Sequence, residues 1–374
     1  MQPLNGYKVL DFTTLLPGPL ASLVLAESGA EVIKIERPTT GDDMRHYPPM
    51  WGKNSVNFAM FNRGKKSLSI DIKDKRQRKK LIPLIEQSDI LIEQFRPGVM
   101  QRVGLDYETL KSINPKLIYC SITGYGQTGP KSQQAGHDLN YIGDTGLLNN
   151  STGMNTGGQP NIQNSATLPP TLIADIAGGT YPALVNILMA LIAREKTGKG
   201  CYLDIAMSDN MFMLMGFAMG EGLATNKWPK DGDALLTGGS PRYQLCQTSD
   251  GKLLAIAALE QKFWQNFCAL IDLPRDMIDH KFDPKQVISK IQSIIIQQTA
   301  KHWEELFKGH DCCCTIVNTL QEAMQEQHFQ SRGLFQASLT NENGDYIPAL
   351  PTCLAPYFRD SLSPAKSAPL LNDN

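Results

Sequence analysis

His137, Asp138 and Tyr141 fall within five residues in the stretch GHDLNY, and Asp175 lies in ADIAGGT. Histidine and a carboxylate are side chains that give and take protons near neutral pH, once burial has lifted the acid. Each also has a plain structural use. A histidine in a polar loop is most often solvated, and an aspartate at the head of a helix caps free N–H groups. If a helix starts after Gly136, His137 and Tyr141 lie one turn apart on one face, and Asp138 is its cap. Small residues around Asp175 let a ligand approach the backbone, and the helix start offers N–H donors to an oxyanion. His137 and Asp175 sit on separate elements, so only the fold can bring them together.

A second set is basic. Arg37 follows the run EVIKIE, Arg63 and Lys65-Lys66 precede SLSIDI, and Arg96 follows DILIEQF. Arg37 and Arg96 fall at the carboxyl ends of expected strands, where doubly wound sheets hold ligands. The set suits a polyphosphate and would serve equally as a solvated surface.

The elements that position these residues alternate. YKVLDFTTLLPGPLASLVLAESGAEVIKIERP reads strand, loop, helix, strand, with Gly29 closing the helix. KSLSIDI, DILIEQF, KLIYCSITGYG and CYLDIAM continue as strands; KDKRQRKKLIPLIEQ and DYETLKSIN read as helices. Such alternation predicts a parallel α/β sheet with right-handed crossovers. The first loop is TTLLPGPLAS rather than GxGxxG, which counts against a nicotinamide-binding domain. Residues 129–170 read as long loops, a helix runs from Asp175 to REKTGKG, and Asn210–Ala224 reads as a Met-rich helix. Its methionines 211, 213, 215 and 219 suit core packing or a plastic acyl wall. The pattern divides into a large α/β domain (1–225, completed by 330–374) and a smaller α/β domain (226–329).

Composition narrows the class. The chain has 374 residues, 41% hydrophobic and 20% charged, and a formal net charge of −1, which argues against a nucleic-acid partner. Eight cysteines without CxxC or zinc spacing read as reduced thiols, and no metal site is expected. No signal peptide is visible, and the longest apolar stretch, around Pro182–Ala193, is too short for a bilayer. A soluble cytoplasmic protein without a membrane partner is expected.

The blocks VLDFTTLLPGPLASLVLAESGAEVIKIERP, NRGKKSLSIDIK, DILIEQFRPGVMQRVGLDYETL, ITGYGQTGP, GHDLNY and ADIAGG…REKTGKG occur in this order. Through them the chain resembles the class III CoA-transferase family over nearly its full length, and within it the α-methylacyl-CoA racemases. The resemblance implies a large Rossmann-like parallel-sheet domain and a small α/β domain in an interlocked homodimer. It implies an acyl-CoA substrate, with coenzyme A as part of the substrate and no other cofactor. In the transferases the aspartate aligned with Asp175 attacks the thioester and passes through aspartyl-CoA. In the racemases it exchanges the α-proton while a histidine serves the opposite face. His137, and a small-domain segment GGSPRYQLCQTSDGKLLAIAALEQKF without a glycine tetrad, point to the racemase. By the same resemblance Glu260 of a partner subunit supports His137, and Tyr141 orients one of the catalytic pair. Arg37 and Arg96 contact CoA, with Arg63 and Lys65 as further candidates. Gln261 and Trp264 depart from the common pattern and leave the acyl group open. The expected function is a 2-methylacyl-CoA racemase or epimerase; the alternatives are a CoA-transferase and a non-catalytic acyl-CoA-binding protein.

Overall fold

The computed structural model of the protein describes residues 1–150, 168–229, 232–278, 282–359 and 365–372. Strands β1 (Lys8–Phe12), β2 (Glu31–Glu36), β3 (Lys66–Ser69), β4 (Ile90–Glu93), β5 (Ile118–Thr123) and β6 (Tyr202–Ala206) form one parallel sheet. Their order is β3-β2-β1-β4-β5-β6, the doubly wound arrangement expected from the alternation. ILIE in β4 and IYCSIT in β5 are buried throughout, as central strands of a two-faced parallel sheet must be. The order reverses between β1 and β4, so the carboxyl ends of these strands open the crevice where such sheets take ligands.

Helix α1 (Pro17–Glu27) follows β1. Proline in its first turn presets the helical φ, Pro17, Gly18, Pro19 and Ala21–Leu25 are buried, and Gly29 leaves at φ 102°. The helix expected over KDKRQRKKLIPLIEQ is instead broken into Lys75–Arg78 and Ile82–Gln87, joined by a 3₁₀ turn. Pro83 has no N–H to continue the earlier turn, so the second piece starts there.

Helix α2 (Asp138–Asp144) follows the loop after β5, and α3 (Tyr181–Thr197) precedes β6. The turn before α3, Ala174–Thr180, is a π-helix rather than an α-helical start. Together they make a 24-residue helix, Ala174–Thr197, long and apolar enough to cross a membrane. By length and composition this exceeds the apolar stretch read around Pro182–Ala193, because the π-turn extends the run toward the N-terminus; the core helix of a globular domain meets the same measure. One face of α3 (Ala183, Leu184, Ile187, Ala190, Leu191) is buried beside β5 and β6. The Met-rich helix also divides, into α4 (Met207–Leu214) and Gly216–Thr225, with Met215 between them.

The described residues cluster into two compact units. The first holds Met1–Ile142, Thr171–Leu214 and Glu326–Asn374; the second holds Met215–Gln325 and the described part of 143–170. The helix Gly216–Thr225 thus goes with the second unit, where the sequence division keeps it in the large domain. The tail from Arg332, poor in periodic signal, forms a hairpin (Ser338–Thr340, Tyr346–Pro348) in the first unit. Asn341 makes its turn, its Oδ1 accepting the N–H groups of Asn343 and Asp345.

In the second unit, β7 (Tyr243–Gln247), β8 (Leu253–Ala257) and β9 (Cys314–Ile316) form an antiparallel sheet. The QTSDGK turn makes the expected hairpin. The core beside this sheet is aromatic: Trp264 and Phe267 of α5 (Gln261–Leu270), and Trp303 and Phe307 of α7 (Ala300–Phe307), with Val287 and Ile291 of α6 (Pro284–Ile295).

Candidate active site

The local physics around His137 differs from the simple cap. His137 itself takes the cap position of α2, its carbonyl accepting the N–H groups of Asn140 and Tyr141 at 2.8 and 3.3 Å. Asn140 answers with its side-chain oxygen, 3.0 Å from the His137 N–H, so the two close a reciprocal cap. The imidazole-bearing residue is exposed. Asp138, expected to cap the helix, does something else. It is 5% exposed, and its Oδ1 accepts the backbone N–H of Asp175 at 3.0 Å. That bond links the residue after His137 to Asp175, across 37 positions of sequence.

Asp175 stands in the π-turn, a local widening often found where a side chain must be presented. The turn is braced from outside. Asn210 of α4 donates to the Gly178 carbonyl at 2.8 Å, and the Thr180 hydroxyl donates to the Pro17 carbonyl at 2.8 Å. Gly178 has no room for a side chain: a Cβ there would lie 2.5 Å from the Met207 carbonyl oxygen. Burial raises the Asp175 carboxyl to about 7, and the Asp138 carboxylate pushes it the same way. A carboxyl poised there can act as acid or base at neutral pH.

Asp138→Asn keeps an oxygen that can accept the Asp175 N–H but removes the negative neighbour. The Asp175 pKa then falls, and the acid limb of the pH–rate profile for any reaction using its carboxylate moves to lower pH. An unchanged limb would show that Asp138 exerts no electrostatic hold on Asp175.

Two expectations at this site are corrected. Tyr141 is expected among the catalytic residues, but it is 5% exposed and its hydroxyl donates to the Gly136 carbonyl at 2.5 Å. Its ring lies against Gly124 and Gly136, where Cβ atoms would come within 2.3 and 2.8 Å of it, and edge-on to Tyr125. Burial, with Asp175 and Asp138 adding, pushes the phenol up to about 12, so it stays a proton donor to that carbonyl. Tyr141 therefore shapes the His137 loop. The second correction concerns the helix head as an oxyanion site: the Asp175 N–H is given to Asp138, and the Ile176 N–H to the Leu172 carbonyl.

The basic candidates separate. Arg37 is exposed, held by Asp43 and by the Gly41 carbonyl, and Arg96 is exposed just beyond β4. Arg63 and Lys65 turn inward. Arg63 is 3% exposed and bonded to Glu27 and the Met60 and Leu350 carbonyls. Lys65 Nζ meets Asn62, Ser22, the Pro19 carbonyl and Asp11, between 2.8 and 3.3 Å. Burial alone would raise the Asp11 carboxyl, yet Lys34 and Lys65 hold it well below the usual range. An ammonium with no exposed surface and its donors engaged has nothing left for a phosphate, so the CoA role expected of Lys65, and likewise of Arg63, is withdrawn. Lys65→Ala should leave the KM for acyl-CoA unchanged and cost about 3–5 kcal/mol of stability, because Asp11 loses a buried partner. A raised KM at unchanged melting temperature would restore the ligand role.

In the second unit, Glu260 is the residue before α5; it is exposed, and its side chain accepts no capping bond from that helix. Trp264, a departure from the family pattern, is a core residue at 1% exposure, beside Phe267 and under the Arg242 guanidinium. Gln261 accepts from Arg242 at 2.6 Å.

A family model described as CoA-transferase family III matches residues 4–374. The chain belongs to CoA-transferase family III. Within the family it is 33% identical to human alpha-methylacyl-CoA racemase over 349 residues, 92% of this chain and 85% of that one. It is 32% identical to human succinyl-CoA:glutarate CoA-transferase over 383 residues, 100% of this chain and 84% of that one. A CAIB/BAIF family protein from Brucella suis has the same fold, with TM-score 0.81 and 30% identity over 99% of this chain and 96% of that one. Both family chemistries act on acyl-CoA, and the relatives of the two kinds stand at nearly equal identity. Identity does not separate them. Sequence reasoning missed Asp138 because a mid-loop aspartate before a helix looks like a cap; only its partner in the π-turn reveals the second use.

Proposed function

We propose that the protein is a 2-methylacyl-CoA racemase or epimerase that inverts the α-carbon by 1,1-proton transfer. The observation that carries this is the Asp138 bridge, which ties the His137 loop to the turn bearing an aspartate titrating at about 7. In one direction the Asp175 carboxylate takes the α-proton, and the electron pair moves onto the thioester carbonyl as an enolate. The His137 imidazolium then gives a proton to the opposite face. The other enantiomer uses the same pair with the roles exchanged, which suits a carboxyl raised to about 7 facing a side chain that can hold or release a proton. Arg37 and Arg96 hold the CoA moiety, and Glu260 of a second copy hydrogen-bonds the imidazole and supports its charged form.

The second copy has a surface to meet. Tyr181, Val185, Leu188, Met189 and Ile192 form an apolar stripe along α3, each 44–63% exposed. Their spacing puts them on one face, opposite the face packed near the sheet. A cytoplasmic homodimer buries this stripe.

The test is a chiral 2-methylacyl-CoA in deuterated water with no acceptor acid. Deuterium enters the α-position as optical purity falls, and His137→Ala slows racemisation at least about 100-fold. Complete absence of exchange sinks the reading. The near-equal identity to the succinyl-CoA:glutarate enzyme supports the second reading, a CoA-transferase. It predicts an aspartyl-CoA adduct at Asp175 by mass spectrometry, and transfer that survives His137→Ala.

A further inference from the structure

Glu93 ends β4 and is 3% exposed, at the wall of a cavity of about 290 Å³ beside the β4–β5–β6 face of the sheet. The other deeply buried carboxylates near this sheet have cations: Asp11 meets Lys65, Glu36 meets Arg45 and Asp42 meets Lys34. Glu93 has the Ser121 hydroxyl and, at 2.7 Å, the Phe95 N–H; among the described residues no Lys or Arg is paired with it. Burial raises its carboxyl to about 7, and the nearby Asp204 carboxylate adds to this. Arg96 lies on the cavity wall, but its charge is felt at Tyr141.

The rest of the lining fits a missing cation. Tyr107, Tyr119 and Tyr202 all border the cavity, with ring centroids 5.7–6.1 Å apart. Tyrosine faces attract organic cations, more so when water is excluded. Gln127 also lines the cavity, and its buried Nε2 has no hydrogen-bond acceptor. It calls for an acceptor on the same ligand. Asp106 and Glu108 complete the charged lining. The volume is at the small end of ligand sites, which run roughly 300–1,000 Å³.

We infer that this cavity binds a small organic ammonium carrying a hydroxyl or carbonyl, with the cation at Glu93 among the tyrosines and the oxygen at Gln127. The cavity shares Arg96 with the CoA contacts proposed above, and its test needs no acyl-CoA turnover.

Calorimetric titration of the full chain with choline chloride, against sodium chloride at equal ionic strength, reads it. Choline binds saturably at about pH 8. Because Glu93 must be ionised to pair with it, affinity at about pH 6 falls to roughly a tenth, as the competent fraction does for a group titrating near 7. Asp106, Glu108 and Arg96 also line the cavity, and Asp204 acts on Glu93, so Glu93→Gln must both weaken binding about tenfold and flatten the pH dependence. Tyr202→Leu, at a half-exposed ring that the fold can lose, weakens it about threefold. The inference is overturned by no saturable heat up to about 50 mM choline, by equal binding of the neutral isostere 3,3-dimethylbutan-1-ol, or by affinity indifferent to both variants.

Discussion

Asp175→Asn lowers α-proton exchange by at least about a thousandfold, and the same substitution abolishes any transfer of CoA. Asparagine keeps the size and the backbone bond to Asp138 but can neither accept the α-proton nor attack a thioester. KM changes little, because the CoA contacts assigned to Arg37 and Arg96 lie elsewhere. The variant is also more stable than the wild type above neutral pH. The Asp175 carboxyl binds its proton more tightly folded, at about 7, than unfolded, at the ordinary carboxylate value. Wild-type stability is therefore lost as pH rises from about 4 to about 7, at up to about 1.4 kcal/mol for each pH unit crossed. Asparagine removes that loss, so the melting temperatures of the two proteins diverge as pH is raised through this window. Residual exchange above a hundredth of wild type would remove Asp175 from the chemistry.

Gly178→Val has the second largest effect, and it acts through geometry. The new Cβ arrives 2.5 Å from the Met207 carbonyl oxygen and 2.7 Å from the Met211 methyl. Backbone cannot yield as a flexible side chain can, so the π-turn shifts as a whole. Overpacking of this kind costs about 3 kcal/mol, a melting-temperature drop of roughly 6–12 °C. The turn also carries Asp175, so exchange falls at least about tenfold at temperatures where the protein is still folded. Loss of stability with full activity per folded molecule would show that Asp175 is positioned independently of the turn.

Much of the frame is legible in sequence, and the reason is burial. ILIE and IYCSIT read as strands because both faces are covered, and PGPLASLVLAE reads as a helix because proline opens it and glycine closes it. The candidate site is legible as residue types, not as contacts. Tyr141 looks catalytic beside His137 until Gly124 and Gly136 are seen to hold its ring. Lys65 looks like surface charge because Asp11 and Ser22, which enclose it, come from β1 and α1, more than forty residues earlier. Asp138 looks like a cap for the same reason. Hydrogen bonds between distant segments leave no local pattern to read.

The π-turn before α3 bears on how site and surface are arranged relative to each other. Each extra residue in a turn advances the following helix by about 100° about its axis. The wide turn therefore sets an angular offset between the direction of Asp175 and the apolar stripe Tyr181–Ile192. Deleting one residue between Asp175 and Thr180 would let an α-turn form while rotating the carboxyl away from Asp138. The same sequence could still present its stripe and its sheet-facing side, and yet have no reaction centre.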